Sequence, residues 1–135
     1  VLIDNSPSLG VLMINSLAAS QQLIVPVQTE FLAIKGLERM MNTLGMVIRS
    51  QKSNLRHLIL PTMFDRRTQA SMQSLRTIKS TWGDDVWKYA IPIDTKFRDA
   101  SMNGLVPSAY DNDTHGVRAY KKLLENLKEM TGANT

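Results

Sequence analysis

The residues best placed to do chemistry are carboxylates that close apolar runs. Val1-Leu2-Ile3 ends on Asp4. If that run is a strand of a parallel sheet, Asp4 is delivered to the carboxyl edge, where such sheets bind their ligands. A carboxylate there can hold Mg²⁺ or its water shell beside a nucleotide phosphate, the Walker-B arrangement. An aspartate in this position also serves as a turn or helix cap, and both roles fit the sequence. Other strand ends supply further polar groups: Gln28 and Glu30, then Thr62, Met63 and Asp65, then Pro92, Ile93 and Asp94. Asp65 and Asp94 each precede a helical stretch, and capping describes those two better than catalysis. In "DRRT" (Asp65–Thr68) Arg66 and Arg67 stand side by side at a helix start, where cations oppose the helix dipole. That placement suits phosphate contact, or plain exposure with Asp65 as counterion. "KFRDAS" (Lys96–Ser101) puts Arg98 and Asp99 near the same edge.

Positioning these residues requires alternating strands and helices. Apolar, β-branched runs predict strands at Val1–Asp4, Leu23–Gln28, Leu58–Phe64 and Val86–Ile93. Pro26 is awkward within a central strand and implies that its nitrogen faces an unpaired side. Helices are predicted at Leu9–Ser20 with Ser8 as N-cap, Glu30–Ser50, Thr68–Thr81, Thr95–Asn103 and Thr114–Thr131, with Gly104–Asp113 a loop. Phe31, Ile34, Leu37, Met41, Leu44 and Ile48 form an apolar stripe on the second helix. Met72, Leu75 and Ile78 are expected inward on the third, and Val117, Tyr120, Leu124 and Leu127 on the last. The eight methionines are read as core filling, and Trp82 and Trp87 as packing at a helix–strand corner. The expected fold is α/β, a doubly wound, mainly parallel sheet flanked by helices.

Composition narrows the function. The chain has 135 residues, no cysteine and a formal charge of +4. It is therefore one domain or part of one, without disulfides or thiolate metal sites. His57 and His115 are too few and too far apart for a histidine metal site. No apolar run reaches the roughly 18 residues of a membrane span, and a cytoplasmic location is expected. Between Lys35 and Lys79 nine Lys and Arg face only Glu38 and Asp65. Such a basic middle permits contact with nucleic acid, and equally describes solvated helix faces. The phosphate-cradling pattern G-x-x-x-x-G-K-[ST] does not occur.

Four ordered stretches carry a family resemblance: "VLIDNSPSLGVLMINSLAAS", "LIVPVQTEFLAIKGLERM", "LPTMFDRRTQAS" and "IPIDTKFRDAS". From Val1 to about Tyr120 the chain resembles the later segments of ParA/MinD-type deviant Walker ATPases. The subgroup that looks most similar is the ParA-like ATPases encoded with chemotaxis genes, the ParC type, on "PVQTEFLAIKGLERM" and "IPIDTKFRDAS". The resemblance implies a partial P-loop NTPase fold lacking its N-terminal half, with residues 1–131 as the C-terminal part of the ATPase domain and 132–135 as a tail. It implies ATP and Mg²⁺ as cofactors of the parent protein and an ATP-dependent dimer of it that hydrolyses ATP slowly. Asp4 matches the Walker-B aspartate, holding Mg²⁺ through water, and Asn5, Ser6, Pro7 and Gly10 match switch II. Thr62 and Met63 match the strand end near the adenine, and Pro92, Ile93 and Asp94 the loop that closes over the base. Arg66, Arg67 and Arg98 lie where partition members carry surface basic residues. Many relatives read D-x-P-P where this chain has Asp4-Asn5-Ser6-Pro7, and the serine is expected to loosen the switch turn.

Three functions follow as expectations. The first is a positioning ATPase whose cargo is chemotaxis arrays at the cell pole, with polar or array proteins as partners. The second is chromosome or plasmid partition with non-specific DNA binding. The third is a non-catalytic interaction module. The P-loop is expected upstream of Val1, so the chain alone is expected to bind no nucleotide tightly and to be inactive. An exposed strand edge is expected to favour self-association. The end "LKEMTGANT" is too acidic and polar for a MinD-like anchor, so no membrane insertion is expected.

Overall fold

The computed structural model describes residues 1–132. In chain order its elements are α1 (Val11–Ala19), β1 (Gln22–Gln28), α2 (Phe31–Ser50), β2 (Arg56–Thr62), α3 (Gln69–Trp82), a single 3₁₀ turn (Gly83–Asp85), α4 (Thr95–Met102), α5 (Pro107–Tyr110) and α6 (His115–Thr131). The architecture is a parallel sheet flanked by helices. β2 is the reason. Leu58, Ile59, Leu60 and Pro61 are all buried, and a run apolar on both faces needs cover on both sides. On one face Ile59 packs with Val27 of β1, Ile34 and Leu37 of α2, Ile78 of α3 and Val86. On the other, Leu58 and Leu60 pack with Trp87, Ile91 and Leu123 of α6. A third cluster seats Met13 and Leu17 of α1 against Leu44 of α2 and Leu55.

β1 and β2 pair in parallel with Pro26 opposite Leu60. The N–H groups of Trp87 and Ile91 donate to the carbonyls of Ile59 and Pro61 at 2.9 Å. The backbone N–H and C=O groups of odd-numbered β2 residues therefore point away from β1, and those of even-numbered residues point toward it. In that parallel ladder Leu60 bonds to the neighbours of Pro26. The nitrogen of Pro26 then points to the outer edge of β1, the unpaired side expected of a proline in a strand.

Several sequence expectations are corrected. Val1–Asp4 is not a strand: it has no strand partner among the described residues, and Val1, Leu2 and Ile3 are exposed. An apolar run becomes a strand only when a neighbour satisfies its backbone. Val86–Ile93 runs beside β2 but forms no continuous ladder with it: the parallel bridges are isolated, Ile59–Val86 and, just past β2, Phe64–Pro92, with the chain bending at Lys88 and Tyr89 between them. Gly10, not Ser8, precedes α1, without a side-chain cap. The stretch read as loop contains the short α5, begun by Pro107. On α3 the buried residues are Ser71, Ser74 and Ile78, so two hydroxyls occupy the inner stripe expected of Met72 and Leu75. On α6 Tyr120 and Leu124 are exposed, and Gly116, Val117 and Leu123 are buried. On α2 Phe31 is exposed at the helix start. Met46, Met63, Met102 and Met130 are exposed as well, so core filling accounts for Met13 and in part for Met40, Met41 and Met72. Of the expected tail, 133–135 lie outside the described residues.

Candidate functional site

The carboxyl ends of β1 and β2 open onto one edge. Beyond Thr62 the chain turns through Met63, which has φ +53, and Phe64 then joins the Val86–Ile93 segment. Phe64 N–H donates to the Ile91 carbonyl, and Ile93 N–H to the Phe64 carbonyl, both at 3.0 Å. Thr62, Met63, Pro92, Ile93 and Asp94, five residues singled out from sequence, are thus brought together. Met63 and Ile93 remain half-exposed, at 52% and 41%.

Asp94 is turned away from that role. Its carboxylate accepts from Lys96 N–H at 2.9 Å, capping α4, and from Gly116 N–H at 2.8 Å. Burial pushes its carboxyl up, but the bonds from the Thr114 side chain and the Gly116 and Lys96 N–H groups outweigh it and hold the group below the usual aspartate range. Asp94 thereby ties together the starts of α4 and α6. Asp65 does not cap α3; Thr68 does, accepting from Ser71 N–H at 3.3 Å. Asp65 instead takes two bonds from the Arg67 guanidinium, each 2.9 Å, and one from Arg67 N–H at 3.0 Å. Arg67 draws its carboxyl down to about 2. The two arginines of "DRRT" are therefore unequal. Arg67 is engaged by its own turn, whereas Arg66 and Arg98 are exposed and take part in no ion pair among the described residues.

Across β1 lies the switch-like segment. Ile3, Asn5, Ser6 and Pro7 line a groove of about 600 Å³ whose floor is the outer edge of β1 and whose end carries Gln28 and Glu30. Ser6 Oγ donates to Ser8 Oγ at 3.2 Å and accepts from Ser8 N–H at 3.4 Å, a local turn. Gly10 is extended, with φ −178. Asp4 is exposed, with no ion-pair partner among the described residues. No group of three His, Cys, Asp or Glu that could hold a metal occurs among the described residues. A lone carboxylate fits Mg²⁺ only where phosphates and waters supply the other ligands. No helix among them is long and apolar enough to cross a membrane.

Sequence reasoning missed Thr29 and Ser71, which are buried beneath the Met63 turn with their hydroxyls 2.8 Å apart. A threonine directly after a strand and a serine in the first turn of a helix were the only signals. It also missed Gly116, where a Cβ would come within 2.7 Å of the Phe97 ring.

A profile described as an AAA domain matches residues 1–57. The chain is 34% identical over 133 residues to the chromosome-partitioning ATPase Soj of Treponema pallidum, covering 98% of this chain and 53% of that protein. It is 34% identical over 128 residues to the sporulation initiation inhibitor protein Soj of Bacillus subtilis, covering 94% and 51%. It is 36% identical over 128 residues to the chromosome partitioning protein ParA of Caulobacter vibrioides, covering 94% and 48%. The chain is thus related to the ParA and Soj proteins, and it spans about half the length of these curated relatives.

Proposed function

We propose that residues 1–131 act as the C-terminal part of a ParA/Soj-type ATPase domain, with 132–135 as a tail. The observation that carries this reading is the gathering of Thr62 and Met63 with Pro92 and Ile93 at the carboxyl edge of a parallel sheet, the edge at which such sheets bind nucleotides. In this reading those four residues frame the adenine. Asp94 shapes the closing loop through the backbone rather than by touching the base. Asp4 is the metal-side carboxylate, and Asn5, Ser6, Pro7 and Gly10 form the switch that senses the phosphates. Bound Mg²⁺-ATP supplies a phosphoryl group to water and an ATP-dependent contact between two copies. This chain's residues orient the base and hold the switch.

In this reading Asp4 meets Mg²⁺ only alongside phosphates and waters, and the chain carries no G-x-x-x-x-G-K-[ST] to cradle those phosphates. Titration with a fluorescent ATP analogue and Mg²⁺ is therefore expected to show no micromolar binding to the 135-residue chain and clear binding to the full-length protein. Micromolar binding by the chain alone, or none by the full-length protein, would overturn the reading.

As cargo, chromosomal DNA is favoured by the relatives, two of which are named for chromosome partitioning. Positioning of chemotaxis arrays at a cell pole, with array proteins as partners, rests on the two stretches "PVQTEFLAIKGLERM" and "IPIDTKFRDAS". Non-specific duplex binding by the ATP-bound protein separates them. If DNA is the support, binding weakens steeply with salt, and Arg66→Glu with Arg98→Glu lowers the salt slope by about two. Absence of DNA binding at low salt would favour the array reading.

A further inference from the structure

The turn after β2 is held by two side chains that the reading above does not use. Met63, with φ +53, occupies a backbone region that non-glycine residues seldom adopt. Such residues persist where their surroundings over-determine them, and they cluster at functional sites. Here the surroundings are two buried hydroxyls. Asp65 N–H donates to Ser71 Oγ at 3.0 Å. That leaves the Ser71 proton for Thr29 Oγ1, 2.8 Å away. The Thr29 proton then goes to the carbonyl of Thr62 at 3.2 Å or of Met63 at 3.3 Å. The chain runs in one direction and satisfies every hydroxyl proton without water, which matters for groups only 5% and 6% exposed. Its ends, Met63 C=O and Asp65 N–H, belong to the same turn. Thr29 stands just before α2 and Ser71 in the first turn of α3, so two helix starts grip the turn from beneath.

We propose that Thr29 and Ser71 are positioning residues that hold Met63 as a rigid wall of the base pocket, setting affinity and selectivity for the purine ring. This rests on the carboxyl edge being the base end of the nucleotide site.

The test uses the full-length protein and compares Kd for Mg²⁺-ATP with Kd for Mg²⁺-tripolyphosphate, which lacks the base. Thr29→Val and Ser71→Ala are expected to weaken ATP about five- to tenfold, to leave tripolyphosphate unchanged and to narrow the preference for ATP over GTP. Thr29→Ser keeps the hydroxyl and is expected to restore ATP binding. Ser71→Ala adds no volume and carries the test if Thr29→Val does not fold. Equal loss of ATP and tripolyphosphate, or failure of Thr29→Ser to restore binding, overturns the clamp as a general structural defect. Unchanged ATP binding in both variants overturns the clamp alone, provided Met63→Asp still weakens ATP. A Met63→Asp protein that binds ATP normally overturns the base-edge reading, and the clamp with it.

Discussion

Asp94 is a carboxylate whose role was half legible in the sequence. As the residue before a helix it was legible as a cap, and it does cap α4. Its bond to Gly116 N–H joins residues 22 apart in the chain and could be seen only once α6 was in place. A stability consequence follows. An aspartate whose folded pKa lies below the unfolded value of about 3.9 adds stability above that value and loses it as pH falls toward the folded one. Asp94→Ala is expected to cost about 1–2 kcal/mol at pH 7, read by urea unfolding. The gap to the wild type should close below about pH 4. A gap that stays constant from neutral pH to pH 3 would refute the assignment.

Helices and strands were legible where period and caps agree. α2, α4 and α6 fall within a residue or two of their expected bounds, α2 through its apolar spacing and α4 and α6 through the capping side chains of Asp94 and Thr114. Pro26 correctly announced an open strand edge. What misled was the inner face of α3, where Ser71 and Ser74 look like surface residues although both are buried, Ser71 against the Thr29 hydroxyl. The meeting of α4 with α6 was equally illegible, because it depends on a missing side chain. Gly116 lets the Phe97 ring and the Asp94 side chain approach within 3.0 Å of where a Cβ would stand. Gly116→Ala is expected to destabilise the fold by about 1–3 kcal/mol, measured by thermal or denaturant unfolding. An unchanged midpoint would show that α6 shifts without cost.

At the scale of the molecule, the chain is well layered on one side and open on the other. β2 is covered on both faces, while β1 presents an unpaired edge to the groove beside Asn5, Ser6 and Pro7. Val11, Leu12 and Ile14 of α1 are exposed although the helix is apolar around most of its circumference, a pattern that belongs to covered helices. The layered architecture was readable from alternating runs. The loss of Val1–Asp4 as a strand was not, since a run's apolar character says nothing about whether a neighbour is there to pair with it. The central claim is that Thr62, Met63, Pro92 and Ile93 form the base end of an ATP site. Photolabelling the longer ATPase that the proposed function implies with Mg²⁺ and 2-azido-ATP, followed by peptide mapping, tests it most directly. The predicted result is ATP-protectable label in the peptides containing Met63 and Ile93. Protectable label confined to other peptides would contradict it.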